Sequence, residues 1–273
     1  MAASVAAPAS GRLAWSFAVR AFRYWMTQYR RTWRSSIFSS VLGPLLYLGA
    51  MGMGLGTLVN SHGTARLGGL SYLAFLAPGL LAAGAMQTAI HEATYPVYGS
   101  TKWNGNYIAA AASPLSPADI YRGHLIFITA RITMNCAVFL IIMSAFGAAR
   151  SPEVLLTLPT SVLTGLAFAA PVQAWAVTRI TDSGFAALMR FGMIPLFLFS
   201  GTFFPVSQLP SWTRPLAYLT PLWHGVTLCR ELSAGTLFAA GIGGALVHAG
   251  YLAAVAAAGM AAGAKTYRRR LYV

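Results

Sequence analysis

The sequence predicts an all-α membrane protein with six transmembrane helices, an N-terminal interfacial amphipathic helix, and re-entrant helices between spans five and six. Three observations carry this. Of 273 residues, 57% are hydrophobic and 9% charged, where a soluble domain carries roughly 25% charged residues. Six windows have the length of about 20 apolar residues that a helix needs to cross a hydrocarbon core about 30 Å thick. The basic residues flank those windows instead of coating one surface.

The first element is the N-terminal segment, residues 1–36. At about 100° per residue, Trp15, Ala18, Val19, Phe22, Trp25, Met26, Tyr29 and Trp33 share one side of a helix, and Arg12, Arg20, Arg23, Arg30, Arg31 and Arg34 share the adjacent side. This pattern predicts a helix lying in the membrane interface. Trp15, Phe22, Trp25 and Trp33 would sit at headgroup depth, with Arg30 and Arg31 on anionic lipid. The small residues at the start and the Arg-rich stretch after them do not form the apolar core of a cleaved signal peptide, so the N-terminus is expected to be retained.

The transmembrane region, 37–263, holds the six windows near 37–59, 70–91, 121–147, 154–178, 186–204 and 236–263. The third has a marked start, with Ser116 as N-cap, Pro117 at the first helical position and Asp119 in the first turn. Glycines in the first window (Gly49, Gly52, Gly54, Gly56) and the last (Gly241, Gly243, Gly244) are expected to let helices approach closely. From 205 to 225 the chain is apolar and aromatic but repeatedly interrupted by proline, at Pro205, Pro210, Pro215 and Pro221. Each proline removes an intrahelical hydrogen bond. Broken backbone at membrane depth is tolerated where protein covers it, which predicts an extracellular re-entrant segment capping the outer end of any path. Residues 264–273 form a basic tail.

Five acidic residues against nineteen Lys and Arg give a net charge of +14. The excess does not mark a nucleic-acid partner, because its distribution follows topology. With the N-terminus inside, the cluster from Arg12 to Arg34, Lys102, Arg122, Arg179, Arg190 and the cluster from Lys265 to Arg270 lie inside. Arg66, Arg150, Arg214 and Arg230 lie outside, and Arg131 falls within the third span. This inward excess places both termini in the cytoplasm. The abundance of Ala, Gly and Arg fits a GC-rich bacterial genome and hence a bacterial cytoplasmic membrane.

Several chemistries lack their residues. A phosphate-binding Walker loop needs Gly before its Lys, but Lys102 follows Thr101 and Lys265 follows Ala264. His91 and Glu92 begin a zinc-protease-like HExxH pattern, yet Tyr95 stands where the second His is needed. There is no GxSxG elbow and no potassium-filter-like run. Glu92, Asp119, Glu153, Asp182 and Glu231 fall at or beyond span ends, whereas a proton-coupled carrier places a carboxylate in the membrane interior. Cys136 and Cys229 have no metal-ligand spacing and are expected to be unpaired. No catalytic residue, metal site or bound cofactor is expected in this chain. The polar groups available to line a path are Gln87, Thr88, Thr133, Asn135, Ser200 and Thr202, with Arg131 as a candidate for an anionic headgroup and Phe203 and Phe204 beside them.

Residues 72–98, YLAFLAPGLLAAGAMQTAIHEATYPVY, followed by Ser113, Pro114, Leu115, Ser116, Pro117 and Asp119, resemble the central part of type-2 ATP-binding-cassette (ABC) exporter permeases. The subgroup is that of nodulation lipo-oligosaccharide and daunorubicin-resistance exporters. A second block agrees: Ser200 to Pro205, then Leu209 and Pro210, Pro221 and Leu222, and Arg230, Glu231, Leu232 before Gly235. The likeness covers nearly the whole chain.

The resemblance implies a permease subunit that exports an amphipathic, drug-like or lipid-linked molecule by alternating access. Its partners would be an ABC ATPase subunit, which carries ATP and magnesium, a second copy or homologous permease, and membrane lipid. It also implies that 92–120 is the region that couples to the ATPase, with Glu92, Lys102, Asn106, Tyr107 and Asp119 as candidate residues and Tyr107 as the ring expected to fill a pocket on the partner. Gln87, Arg131, Asn135, Ser200, Thr202, Phe203 and Phe204 are the candidates for the translocation path. A non-transporting membrane scaffold or assembly factor is the alternative from another class.

Overall fold

The computed structural model describes residues 11–149, 151–237 and 241–271, without the side chains of 11–16, 35–41, 53 and 66. Trp15 and Arg12, Arg66 and Arg150 therefore lie outside the described side chains. Among the described residues every regular element is helical.

Helix α1 (Gly11–Tyr47) runs without a break through a π-helical stretch, Leu48–Leu55, into α2 (Gly56–Ser61). Pro44 removes a ladder hydrogen bond just before the widened turns. The separate interfacial helix followed by a first span is thus one continuous helix, whose apolar stretch is Leu42–Ser61. Part of the ring-bearing face of α1 is covered by protein. Ala18, Ala21 and Tyr29 are buried, and the Trp25 indole stacks on His124 at 3.9 Å. Gly123 makes this possible: a Cβ there would stand 2.4 Å from Ala21 Cβ and 2.6 Å from Ala18 O. Phe22 is half-buried, while Trp33, Arg30 and Arg31 are exposed.

Helix α3 (Tyr72–Ala93) is the central post. Its N-cap Ser71 accepts from Ala74 N, and Asn60 Oδ1 accepts from Tyr72 N at 2.9 Å. Its apolar run is Ala, Leu and Gly without charge, so it can be covered on all sides. It packs against α6, α7 and α11, and 78% of its most apolar window is buried, against 17% in the last helix. A bend at Thr94 (φ −101°, ψ −92°) precedes α4 (Tyr95–Lys102). Gly105, at φ +63°, turns the chain into α5 (Asn106–Ala111).

Helix α6 (Pro117–Ala145) begins on the expected capping box, in which Ser116 Oγ accepts from Asp119 N and Asp119 accepts from Ser116 N. A 3₁₀ turn (Pro152–Leu156) leads into α7 (Thr157–Ala176). Next come α8 (Ser183–Ala187), a second π-helical stretch (Leu188–Met193) and α9 (Ile194–Phe199). This apolar run, Ser183–Phe199, is shorter than a spanning helix. It stops at Ser200 because Gly201, at φ +85°, takes a left-handed turn that ends the helix. Five helices, in place of six, are long and apolar enough to cross a membrane among the described residues.

The proline-rich stretch forms short pieces, α10 (Arg214–Tyr218) and then α11 (Pro221–Ala234), which starts on Thr220 as N-cap. Helix α11 packs on α3, α7 and α12 (Ile242–Leu271). Lys265 to Arg270 continue α12 and are not a separate tail. The glycines that allow close helix approach also differ from expectation. Gly241, Gly243 and Gly244 meet nothing within 4 Å, whereas Gly259 abuts Pro171 of α7 and Gly263 abuts the Tyr121 ring of α6. In the first span Gly52 does approach Leu73.

Candidate functional site: a two-ended cavity beside the central helix

A cavity of about 680 Å³ lies between α1, α3, α6 and α9. Helix α3 contributes Leu80, Leu81, Gly84, Gln87, Thr88, His91 and Glu92, spaced at three and four residues and therefore on one face. Helix α6 contributes Arg131, Asn135, Cys136 and Phe139, α1 contributes Gly43, Pro44 and Tyr47, and α9 contributes Phe197. The two main walls run antiparallel. Arg131 Nε donates to Glu92 Oε1 at 3.0 Å, and four residues along each helix Asn135 Nδ2 donates to Thr88 Oγ1 at 3.1 Å. Polar groups thus gather at one end, while Leu80, Leu81, Phe139, Tyr47 and Phe197 form the apolar remainder.

The ion pair is largely shielded, with Arg131 12% and Glu92 19% exposed. The guanidinium lies over the Tyr29 ring, 4.3 Å from its centroid. In a low-dielectric setting such a pair holds its geometry only when well hydrogen-bonded.

The cavity brings together Gln87, Arg131 and Asn135 from the expected path residues, and adds Glu92, which sequence placed in the coupling region. Ser200 and Thr202 are not on it. Both are buried; Ser200 Oγ meets Thr220 Oγ1 at 3.1 Å, and Thr202 packs against Gly79. Phe203 stands one layer behind, its ring 4.9 Å from Phe197 and 6.2 Å from Tyr47. Phe204 packs with Val206, Leu209 and Ala217. Thr133 donates back to Thr129 O within its own helix. Sequence reasoning missed His91 as a lining residue and the aromatic wall, since a Phe or Tyr in an apolar run has no mark that separates cavity from core.

A second constellation lies near the short helices. Tyr107 is 2% exposed, so it does not present its ring to a partner. Its hydroxyl bonds to His124 Nδ1 and accepts from the Tyr267 hydroxyl at 3.3 Å. Gln173 Nε2 donates to Tyr267 Oη at 3.1 Å. Burial pushes the Tyr107 phenol well above its ordinary range, which keeps it a neutral hydrogen-bonding group. The ring is fixed from within because partners on α6, α7 and α12 converge on it. Asp119 is likewise buried in its capping role. Lys102 is exposed, and Asn106 Nδ2 donates to Tyr24 Oη at 3.0 Å. Trp103, 63% exposed, and Ile108 offer the apolar surface here. Between α1 and α4, a groove of about 360 Å³ is lined by Tyr24, Trp25, Tyr95, Trp103 and Asn106 among others. Among the described residues no cluster of three or more His, Cys, Asp or Glu could hold a metal, and both cysteines are buried and unpaired.

With helices as its regular elements and five apolar helices of spanning length among the described residues, the chain is a multi-pass membrane protein. Residues 16–232 match the ABC-2 type transporter family. The chain is 32% identical to nodulation protein J of Rhizobium leguminosarum bv. trifolii over 220 residues, 77% of this chain and 81% of that protein. It is 30% identical to nodulation protein J of Bradyrhizobium diazoefficiens over 254 residues, 90% and 94% of the two chains. The chain belongs to the ABC-2 type transporter family, on the branch of the nodulation exporters, as a non-catalytic transmembrane permease subunit.

Proposed function

We propose that this permease, in a bacterial cytoplasmic membrane, carries an amphipathic or lipid-linked molecule through the cavity beside α3 by alternating access. A separate ABC ATPase supplies ATP and magnesium, and a second permease copy or a homologue completes the pathway. The observation that carries this reading is the division of the cavity, with Gln87, Glu92, Arg131 and Asn135 at one end and Leu80, Leu81, Phe139 and Phe197 at the other. Such a division suits a molecule with a polar head and an apolar body. Ser183–Phe199, with the turn after it, would complete a six-span topology with both termini cytoplasmic.

Coupling would run through α4 and α5. Trp103, Lys102 and Ile108 are the exposed side chains for ATPase contact, and Tyr107 is a positioning residue behind them. Energy transfer requires contacts that differ between two states, and α5 reaches three spanning helices through Tyr107, Gln173 and Tyr267.

The test is transport by the permease co-expressed with its ATPase in inside-out vesicles, offered a fluorescent acylated oligosaccharide and daunorubicin. ATP-dependent accumulation of at least one supports the reading. No accumulation, together with no ATPase retained through purification, contradicts it.

A further inference from the structure

Arg131 holds more than Glu92 uses. The carboxylate takes Nε from the side, and the Tyr29 ring covers one face of the guanidinium. Nη1 is buried, with no hydrogen-bond partner among the described residues. A buried donor without an acceptor is costly, and a guanidinium presents its N–H groups as a fixed fork suited to two oxygens of one oxyanion. The unmet group is a donor, which asks for an acceptor and not for a cation.

We infer that the polar end of the cavity is an oxyanion subsite, in which Arg131 binds the phosphate, sulfate or carboxylate head of an amphiphile whose chain lies along Leu80, Leu81, Phe139 and Phe197. Glu92 and Tyr29 are positioning residues. They hold the guanidinium on two sides, where Arg131 lines the cavity. The apolar wall selects an amphiphile over a free anion, because an inorganic ion leaves that wall uncovered. This inference rests on the cavity's being the cargo path, yet it is a statement about binding alone.

The experiment therefore uses no nucleotide. The purified permease, in neutral maltoside detergent, is titrated with dodecyl phosphate, inorganic phosphate and dodecanol, with bound ligand counted by native mass spectrometry. Dodecyl phosphate should bind about tenfold or more tightly than either control. Arg131→Gln should remove that preference. Gly84→Leu provides a variant independent of the ion pair. Gly84 lines the cavity and has open space at its Cβ, so the new side chain should fill the cavity and weaken dodecyl phosphate binding.

Undiminished binding in Arg131→Gln or Gly84→Leu overturns the subsite. Inorganic phosphate binding as tightly as dodecyl phosphate overturns the amphiphile assignment. Binding that behaves as expected in a chain without ATP-driven transport would leave the subsite standing while the transport reading fails.

Discussion

The hydroxyl of Tyr267, near the end of α12, donates to the hydroxyl of Tyr107 in α5 across 3.3 Å. Through this bond α12 is joined to the short helix α5 across 160 residues of sequence. Tyr107→Phe keeps the ring but leaves His124 Nδ1 and the Tyr267 hydroxyl short of a partner. A loss of about 1–3 kcal/mol is expected for such buried groups. In the assembled complex, thermal unfolding should move down and cargo-stimulated ATP turnover should fall while ATPase binding persists. Unchanged stimulation would remove the tyrosine cluster from coupling.

Gly263 and Gly259 set how closely α12 seats on its neighbours. A Cβ at Gly263 would lie 2.2 Å from Tyr121 Cζ, and one at Gly259 would lie 2.5 Å from Pro171 Cδ. Gly263→Ala or Gly259→Ala should destabilise by about 1–3 kcal/mol through overpacking. Gly243→Ala and Gly244→Ala meet open space and should be neutral or slightly stabilising. Detergent thermal-shift measurements on the four variants check this contrast.

Arg230 is a part-buried cation with no carboxylate in hydrogen-bond reach among the described residues. Its Nε donates to Phe75 O at 3.1 Å and Nη2 to Gly201 O at 2.8 Å, and its guanidinium lies 3.7 Å from the Phe75 ring centroid. It pins the turn after α9 to the central helix. Arg230→Lys should not rescue this arrangement, because one ammonium does not match two carbonyls and a stacked ring. Both Arg230→Lys and Arg230→Gln should speed hydrogen exchange at 201–205. Exchange as slow as in the wild type would show that the turn is held by other contacts.

What could be read from sequence follows from which forces are local. The capping box at Ser116 and Asp119 was legible because all its atoms lie within one turn. Gln87, Arg131 and Asn135 stand out in the sequence because a polar side chain in an apolar run needs a reason, and all three line the cavity. Glu92 gives no such sign, since its partner Arg131 is on another helix. The covering of Trp25 is not legible, because amphipathicity does not say whether lipid or protein covers a ring. The slot that α1 occupies depends on Gly123, about a hundred residues further along the chain. The burial of Tyr107 is hidden for the same reason, since Gln173 and Tyr267 are far from it in sequence. The fifth apolar window has the composition of a span, but the left-handed turn at Gly201 cuts its helix short.

The central claim is that the cavity beside α3 is a path gated by a partner ATPase. Its most direct test is the labelling rate of Gln87→Cys by a small maleimide, in a background with Cys136 and Cys229 replaced by alanine, with the permease bound to its ATPase. The account predicts ready labelling without nucleotide and marked protection when the ATPase is trapped with magnesium, ATP and vanadate. Equal labelling rates in the two states would contradict it.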